Sequence, residues 1–223
     1  NGELYLERMA IRVVNGVEDE PVRYVSVFSD ITALWHKDER IKHLAFHDAL
    51  TGLPNRTLLM ERLEQKIINS KRKQCHLALM FIDLDGFKLI NDQFGHNVGD
   101  DVLKEVSKRL LALVRQSDTV ARVGGDEFIL ILNNPKGKDD ITHIANRVVS
   151  SINKPIEIHG GVLKIAASVG IAMFPVDGRT SVDLINNADT AMYVVKASGK
   201  NHISFYSPKH HVTKKRLPTD PNS

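Results

Sequence analysis

The apolar positions change period several times along the chain, and each change marks an element. Leu77 to Ile82 is an unbroken apolar run of strand length, the pattern of a strand buried on both faces. Val98, Val102, Val106, Leu110 and Val114 recur every four residues and make one face of a helix. Ile141 to Ile152 and Leu184 to Val195 repeat the helical pattern, while Leu163 to Phe174 and Ile203 to Tyr206 read as strands. Nearer the start, Leu4 to Val14 and Val22 to Ile31 alternate apolar and polar residues around the turn-rich stretch Asn15 to Pro21, which predicts a β-hairpin. Residues 33–47 follow as a charged helix with Leu34, Ile41 and Leu44 on roughly one face. The expected fold from 48 to 207 is α/β, a sheet sandwiched with helices. Two strands alone cannot build a core, and a short helix is marginal unless paired, so the first 47 residues need a neighbour or a copy.

Two acidic groups sit where this pattern breaks. Thr119 to Val123 and Phe128 to Leu132 read as short strands with Gly124 and Gly125 as the turn between them, which presents Asp126 and Glu127 at a hairpin tip. Adjacent carboxylates on a rigid hairpin suit a hard divalent cation. Polar tips without a ligand are equally common, so the turn alone leaves both readings open. Asp83-Leu84-Asp85 ends the buried run Leu77 to Ile82 and lies at the sheet rim, the usual place for ligands in α/β folds. A helix beginning near Gly86 would point the backbone N–H groups of Gly86, Phe87 and Lys88 outward as a phosphate site. Asp85 could equally cap that helix. If the strands through Asp83 and Phe128 are neighbours, Asp83 and Asp126 meet and can share one or two metal ions. The sequence does not establish that adjacency.

Composition narrows the class. A chain of 223 residues, 42% hydrophobic and 26% charged, holds one soluble α/β domain with length to spare. A net charge of +3 is too small to argue for nucleic acid or a membrane surface. Cys75 is the only cysteine, which excludes an internal disulfide and a cysteine-built zinc site and fits a reducing, cytoplasmic setting. No apolar run reaches the length of a membrane span. The chain starts at Asn1 without methionine, so a segment of a larger protein is expected. Beyond Ser207 come three prolines, the basic cluster Lys214, Lys215 and Arg216, and almost no apolar content, the composition of a flexible linker.

Four separated motifs then fall into a known order. Asp48-Ala49-Leu50-Thr51-Gly52-Leu53-Pro54-Asn55-Arg56, the run Phe81 to Asp92, Phe94-Gly95-His96 with Gly99-Asp100, and Gly124-Gly125-Asp126-Glu127-Phe128 closely resemble the GGDEF family of diguanylate cyclases. The resemblance runs from about Asp48 to Tyr206. It implies a mainly antiparallel sheet flanked by helices, related to nucleotide-cyclase and polymerase palm domains. The implied reaction joins two GTP molecules into cyclic di-GMP with release of two pyrophosphates.

Carried over position by position, Asp83 and Asp126 are the implied metal carboxylates for Mg²⁺ or Mn²⁺, with the Leu84 carbonyl as a further ligand. Glu127 would assist at the metal or act as base. Asn91 and Asp100 match the family's guanine readers, and a carboxylate can accept from guanine N1–H and its exocyclic amine together. Lys88, Lys196 and Lys200 match positions that hold the triphosphate, and Phe87 adds a backbone N–H beside them. The family usually carries Arg where Lys200 stands; lysine keeps the charge and loses the bidentate fork. Arg115 and Asp118 match an Arg-x-x-Asp product site separated from Gly124 by the five residues Thr119 to Val123, with Arg122 as a helper, and imply inhibition by cyclic di-GMP.

One GTP per domain implies a homodimer, with the helix 33–47 pairing to align two half-sites. The stretch Tyr24 to Thr32 resembles the end of a PAS sensor domain. The implied organisation is a PAS-like remnant over 1–32, a linker helix over 33–47, a GGDEF domain over 48–207 and a tail over 208–223. An EAL-type phosphodiesterase is a frequent companion beyond such a tail. The main rival is a relative that binds GTP or cyclic di-GMP and regulates an attached domain. Retention of Asp83, Asp126, Glu127, Asn91 and Asp100 favours the enzyme. A mixed-purine cyclase is disfavoured by Asn91 and Asp100, and a polymerase lacks basic or aromatic tracts.

Overall fold

The computed structural model describes residues 5–14, 23–158 and 160–209. Backbone contacts divide the chain into two compact units, Asn1–Ala45 and Phe46–Ser223. In the first, β1 (Glu7–Val14) pairs antiparallel with β2 (Arg23–Asp30), Glu7 opposite Asp30 and Val14 opposite Arg23. The corner into helix α1 (Thr32–Phe46) is tied by Thr32, whose N–H donates to the Asp30 carboxylate at 2.9 Å while its hydroxyl accepts from Leu6 N–H at 2.8 Å. Hydrogen bonds to Asp30 from the Thr32 side chain and then its N–H hold that carboxyl below its ordinary pKa. Met9, Ile11, Val27 and Phe28 are exposed on the hairpin, as are Leu34 and Leu44 on α1. Leu4, the connector Asn15 to Pro21, Val22, the Ile41 side chain and residues 210–223 lie outside the described residues.

The second unit is built around β3 (Leu77–Asp85). Ala78, Met80, Ile82 and Leu84 enter one core, while Leu77, Leu79 and Phe81 enter another. The continuous apolar run is therefore an alternation between two buried faces. The sheet order is β4-β5-β3-β8-β9, with β4 (Thr119–Gly124), β5 (Glu127–Asn133), β8 (Ala166–Phe174) and β9 (Ile203–Phe205). All pairings are antiparallel except β8 with β9. Helices α3 (Phe87–Phe94), α4 (His96–Leu113) and α5 (Lys138–Ile152) cover one face. Helices α2 (Arg56–Lys73) and α6 (Ser181–Ala197) cover the other. Each large aliphatic side chain so buried contributes about 1.5–3 kcal/mol. The expected mixed α/β sheet flanked by helices is the fold observed.

Three local expectations differ. The run Leu163 to Phe174 is two strands: β7 (Gly161–Leu163) leaves the main sheet to pair with β6 (Ile156–Ile158), and only Ala166–Phe174 enters it. Val114 follows the end of α4 in an extended conformation instead of continuing its face. Helix α2 was not anticipated, although Asn55 caps it by accepting from Leu58 N–H at 3.1 Å and Leu59, Leu63 and Ile67 bury at four-residue intervals. Its mean composition is strongly polar, which hid a narrow apolar stripe.

Candidate functional site

The strands through Asp83 and Phe128 are neighbours, and their register sets the site. Asp83 lies directly opposite Glu127 of β5 on one side and Ser168 of β8 on the other. Directly opposed residues share a face, so two carboxylates stand side by side, which is unfavourable without a cation. The turn differs from expectation in one respect. β4 runs through Gly124 with an irregularity after Arg122, and β5 begins at Glu127, so the connecting residues are Gly125 and Asp126. Gly125 holds φ +47°, the left-handed conformation a tight turn needs and glycine adopts freely. Asp126 alone occupies the tip, and Glu127 is already fixed in the sheet. The Leu84 N–H donates to the Asp126 carbonyl at 3.3 Å and pins the turn to β3.

Burial and charge crowding govern the acids. Asp83 is buried, and desolvation raises its pKa; Lys196 opposes this, and the Asp126 charge adds to it. The Lys196 ammonium lies 2.8 Å from Asp83 Oδ2. Glu127 is likewise raised, first by burial, then by the charges of Asp83, Asp126 and Asp189. Asp189 was not anticipated; it lies seven residues before Lys196 on α6, two helical turns away on the same side. Among the described residues no three His, Cys, Asp or Glu side chains form a closed metal cage. Mg²⁺ is ordinarily bound by one or two carboxylates with phosphate and water completing its shell. A mutually repelling pair such as buried Asp83 and half-buried Asp126 fits that use.

Of the expected nucleotide contacts, Lys196 is the one seen to bond these acids; the others lie on α3, on α4 and in the loop after α6. Gly86 enters α3 with φ +81°; the Phe87 side chain is buried, so only its backbone can serve a ligand, while Lys88 is exposed. Asn91 lies in the last turn of α3 and Asp100 inside α4, both half-buried. Neither is a simple cap at its helix start. Gly99 is buried against the Asn91 amide, and a Cβ there would strike Asn91 Oδ1. Lys200 is exposed in the loop after α6 with φ +61°.

Asp85 does not cap α3, since Gly86 takes the cap position without a side-chain bond. Its carboxylate instead accepts from Ser168 Oγ at 2.8 and 3.0 Å and from Asn201 N–H at 3.1 Å.

Arg115 and Asp118 form a separate constellation at the far end of β4. Asp118 accepts from the backbone N–H of Arg115 at 3.1 Å and of Asn133 at 3.0 Å, while its own N–H donates to the Arg115 carbonyl at 3.0 Å. The Arg115 side chain is exposed. Lys66 Nζ donates to the Ser117 carbonyl between them at 2.6 Å. A cavity of about 360 Å³ lies alongside, lined by Arg62, Lys66, Gln116 and Asp118 among others. Arg122, expected as a helper there, is engaged elsewhere: its guanidinium binds Asp48 and the Gly125 carbonyl.

The family model described as "Diguanylate cyclase, GGDEF domain" matches residues 45–202. The bifunctional diguanylate cyclase/cyclic di-GMP phosphodiesterase MucR of Pseudomonas aeruginosa is 45% identical over 175 residues, 78% of this chain and 25% of MucR. The cyclic di-GMP phosphodiesterase NbdA of the same organism is 38% identical over 195 residues, 85% of this chain and 25% of NbdA. The solved GGDEF domain of Pseudomonas aeruginosa TpbB superposes with TM-score 0.74 at 34% identity, covering 76% of this chain and 99% of that domain. The chain thus spans about a quarter of the length of MucR and NbdA. With its sheet, its acidic turn and most of its length matched, the chain belongs to the GGDEF diguanylate cyclase family.

Proposed function

We propose that this chain condenses two GTP molecules into cyclic di-GMP and two pyrophosphates, working as a homodimer with Mg²⁺ or Mn²⁺. The observation that carries this reading is the opposition of Asp83 and Glu127 across β3 and β5, with Asp126 pinned beside them and Lys196 overhead. Asp83, Asp126 and the Leu84 carbonyl would hold the metal, with Glu127 assisting. Bound there, the metal would neutralise phosphate charge and acidify the attacking hydroxyl.

The chain's own groups do the rest. Asn91 and Asp100 orient guanine, and Lys88, Lys196 and Lys200 hold the phosphates together with the N–H groups at the start of α3. The 3′-oxygen of one GTP bonds to the α-phosphorus of the other, and the α–β bridging bond breaks with pyrophosphate leaving. Glu127, whose pKa burial and neighbouring acids raise, is suited to accept the hydroxyl proton. The two nucleotides come from two chains, which the helix α1 and a PAS-like hairpin before it would align. Product binding at Arg115 and Asp118 would restrain turnover.

A second reading has its own support: NbdA is named for phosphodiesterase activity alone. A catalytically weak domain that binds GTP or cyclic di-GMP and regulates an attached one is consistent with that. Incubating the purified chain with GTP and Mg²⁺, beside an Asp126→Ala control, and detecting cyclic di-GMP by chromatography separates the two. Product from the wild type alone supports the cyclase. GTP binding by a dimer without product supports the regulatory module.

A further inference from the structure

The loop after α6 is held in an unusual conformation. Gly199, Lys200 and Asn201 take φ of +116°, +61° and +55° in succession, and two of the three carry side chains that disfavour this region. Such a backbone persists only where its surroundings over-determine it. The Lys200 N–H folds back to the Val195 carbonyl at 3.0 Å, and the Lys200 carbonyl meets His202 Nδ1 at 2.7 Å. Asn153 Nδ2 donates to Asn201 Oδ1 at 2.8 Å. The tie from this loop to the central strand is the Asn201 N–H, which donates to Asp85.

Asp85 is two residues beyond Asp83 on β3 and therefore points to the same side of the sheet. Unlike Asp83, it engages no lysine among the described residues. Both its oxygens accept from the Ser168 hydroxyl, and one also accepts from Asn201 N–H. Ser168 itself stands opposite Asp83 on β8. The carboxylate thus joins three segments: the strand that carries the metal acid, the neighbouring strand, and the loop that carries Lys200.

We propose that Asp85 is the positioning residue of the Lys200 loop, fixing that lysine at the phosphate end of the site through the Asn201 amide, and that it is not a metal ligand. The proposal rests on the nucleotide reading given above. It also accounts for a lysine serving where a fork would otherwise span two oxygens: a single ammonium must be placed by its backbone, since it cannot align itself by bidentate contact.

The test is a double-mutant cycle read by calorimetry with a GTP analogue whose α–β linkage cannot be cleaved, in Mg²⁺, on the full chain. Asp85→Ala and Lys200→Ala should each weaken binding about tenfold, as expected for loss of one charge-assisted contact. The double variant should bind no worse than the weaker single one, with the Mg²⁺ half-saturation unchanged. Multiplying losses, or a shifted Mg²⁺ requirement in Asp85→Ala, would overturn the proposal. Hydrogen exchange without nucleotide provides a second reading: protection at 199–202 should fall in Asp85→Ala, or in Asp85→Asn if the alanine variant does not fold. Unchanged protection there overturns the positioning role even if GTP binds. A wild type that binds no GTP overturns the nucleotide reading, and the exchange measurement still decides whether Asp85 holds the loop.

Discussion

Arg122 joins the turn at Gly125 to Asp48, 74 residues before Arg122 in the chain. One terminal nitrogen lies 2.9 and 3.0 Å from the two oxygens of Asp48, while the other two nitrogens hold the Gly125 carbonyl at 2.9 and 2.8 Å. The pair is well shielded, with side-chain exposures of 12% and 23%. Since Gly125 adjoins Asp126, the turn bearing the candidate metal acid is braced from the start of the domain. Lysine cannot make this set of contacts, so Arg122→Lys should cost about 1–3 kcal/mol of stability in urea unfolding and lower cyclase turnover.

Burial works against ionisation of Asp48, but hydrogen bonds from Thr51 and Arg122 outweigh it and lower its pKa. A lowered carboxyl stabilises the fold above its unfolded pKa and loses that contribution as pH falls through the folded value. The stability gap between wild type and Arg122→Gln should therefore be full near neutrality and close in acid. A gap unchanged in acid would assign the cost to the Gly125 carbonyl instead.

Asp83 has the opposite sign. Its pKa is raised, chiefly by desolvation, so the fold favours its protonated form. That advantage is complete below the ordinary carboxylate range and disappears as pH rises through the folded pKa. Above its folded pKa the ionised group is a net burden despite Lys196. Asp83→Asn should melt higher than wild type at pH 7 to 8 and show no cyclase activity, with the difference in melting temperature vanishing in acid. Equal melting across the range would show that Lys196 fully offsets the burial.

The motif acids and the sheet were legible because each had a sharp local signal: an unbroken apolar run for β3, and glycines beside acids for the turn. The division of roles within the motifs was not. In sequence Asp85 could equally cap α3, and only the register and the return of the Asn201 loop show that it bonds Ser168 and Asn201 while Asp83 meets Lys196 and faces Glu127. Arg122 likewise sits near Arg115 and Asp118 in sequence, yet the length of β4 carries it to the opposite end of the strand. Asp189 belongs to a helix whose pattern announced only its buried face, so its electrostatic reach to Glu127 had no sequence signal.

Arg115 and Asp118 should separate on mutation although they share a motif. Arg115 is exposed, and Arg115→Ala should abolish product inhibition while leaving the initial rate and unfolding curve intact. Asp118 holds two backbone amides, including that of Asn133 in β5. Asp118→Ala should also relieve inhibition, but with about 1–3 kcal/mol of lost stability from the amides left without it. Enzyme assays with added cyclic di-GMP, paired with urea titrations, give both quantities. Retained inhibition in Arg115→Ala would remove the product site from this loop.

Gly170 controls how closely α6 approaches the sheet, and through it the position of Lys196. It lies opposite Phe81 on β3, and a Cβ there would collide with the Ala188 carbonyl and the Met192 amide of α6. These are backbone atoms, so the helix must move as a body to admit even one methyl group. Met192 is one turn before Lys196, whose ammonium reaches Asp83 at 2.8 Å. Gly170→Ala should therefore destabilise the domain by about 1–3 kcal/mol through overpacking. It should also lower turnover beyond the unfolded fraction, because the displaced lysine no longer matches the carboxylate. Measuring activity well below the melting temperature distinguishes the two losses. Full activity per folded molecule would mean that α6 shifts without carrying Lys196 away.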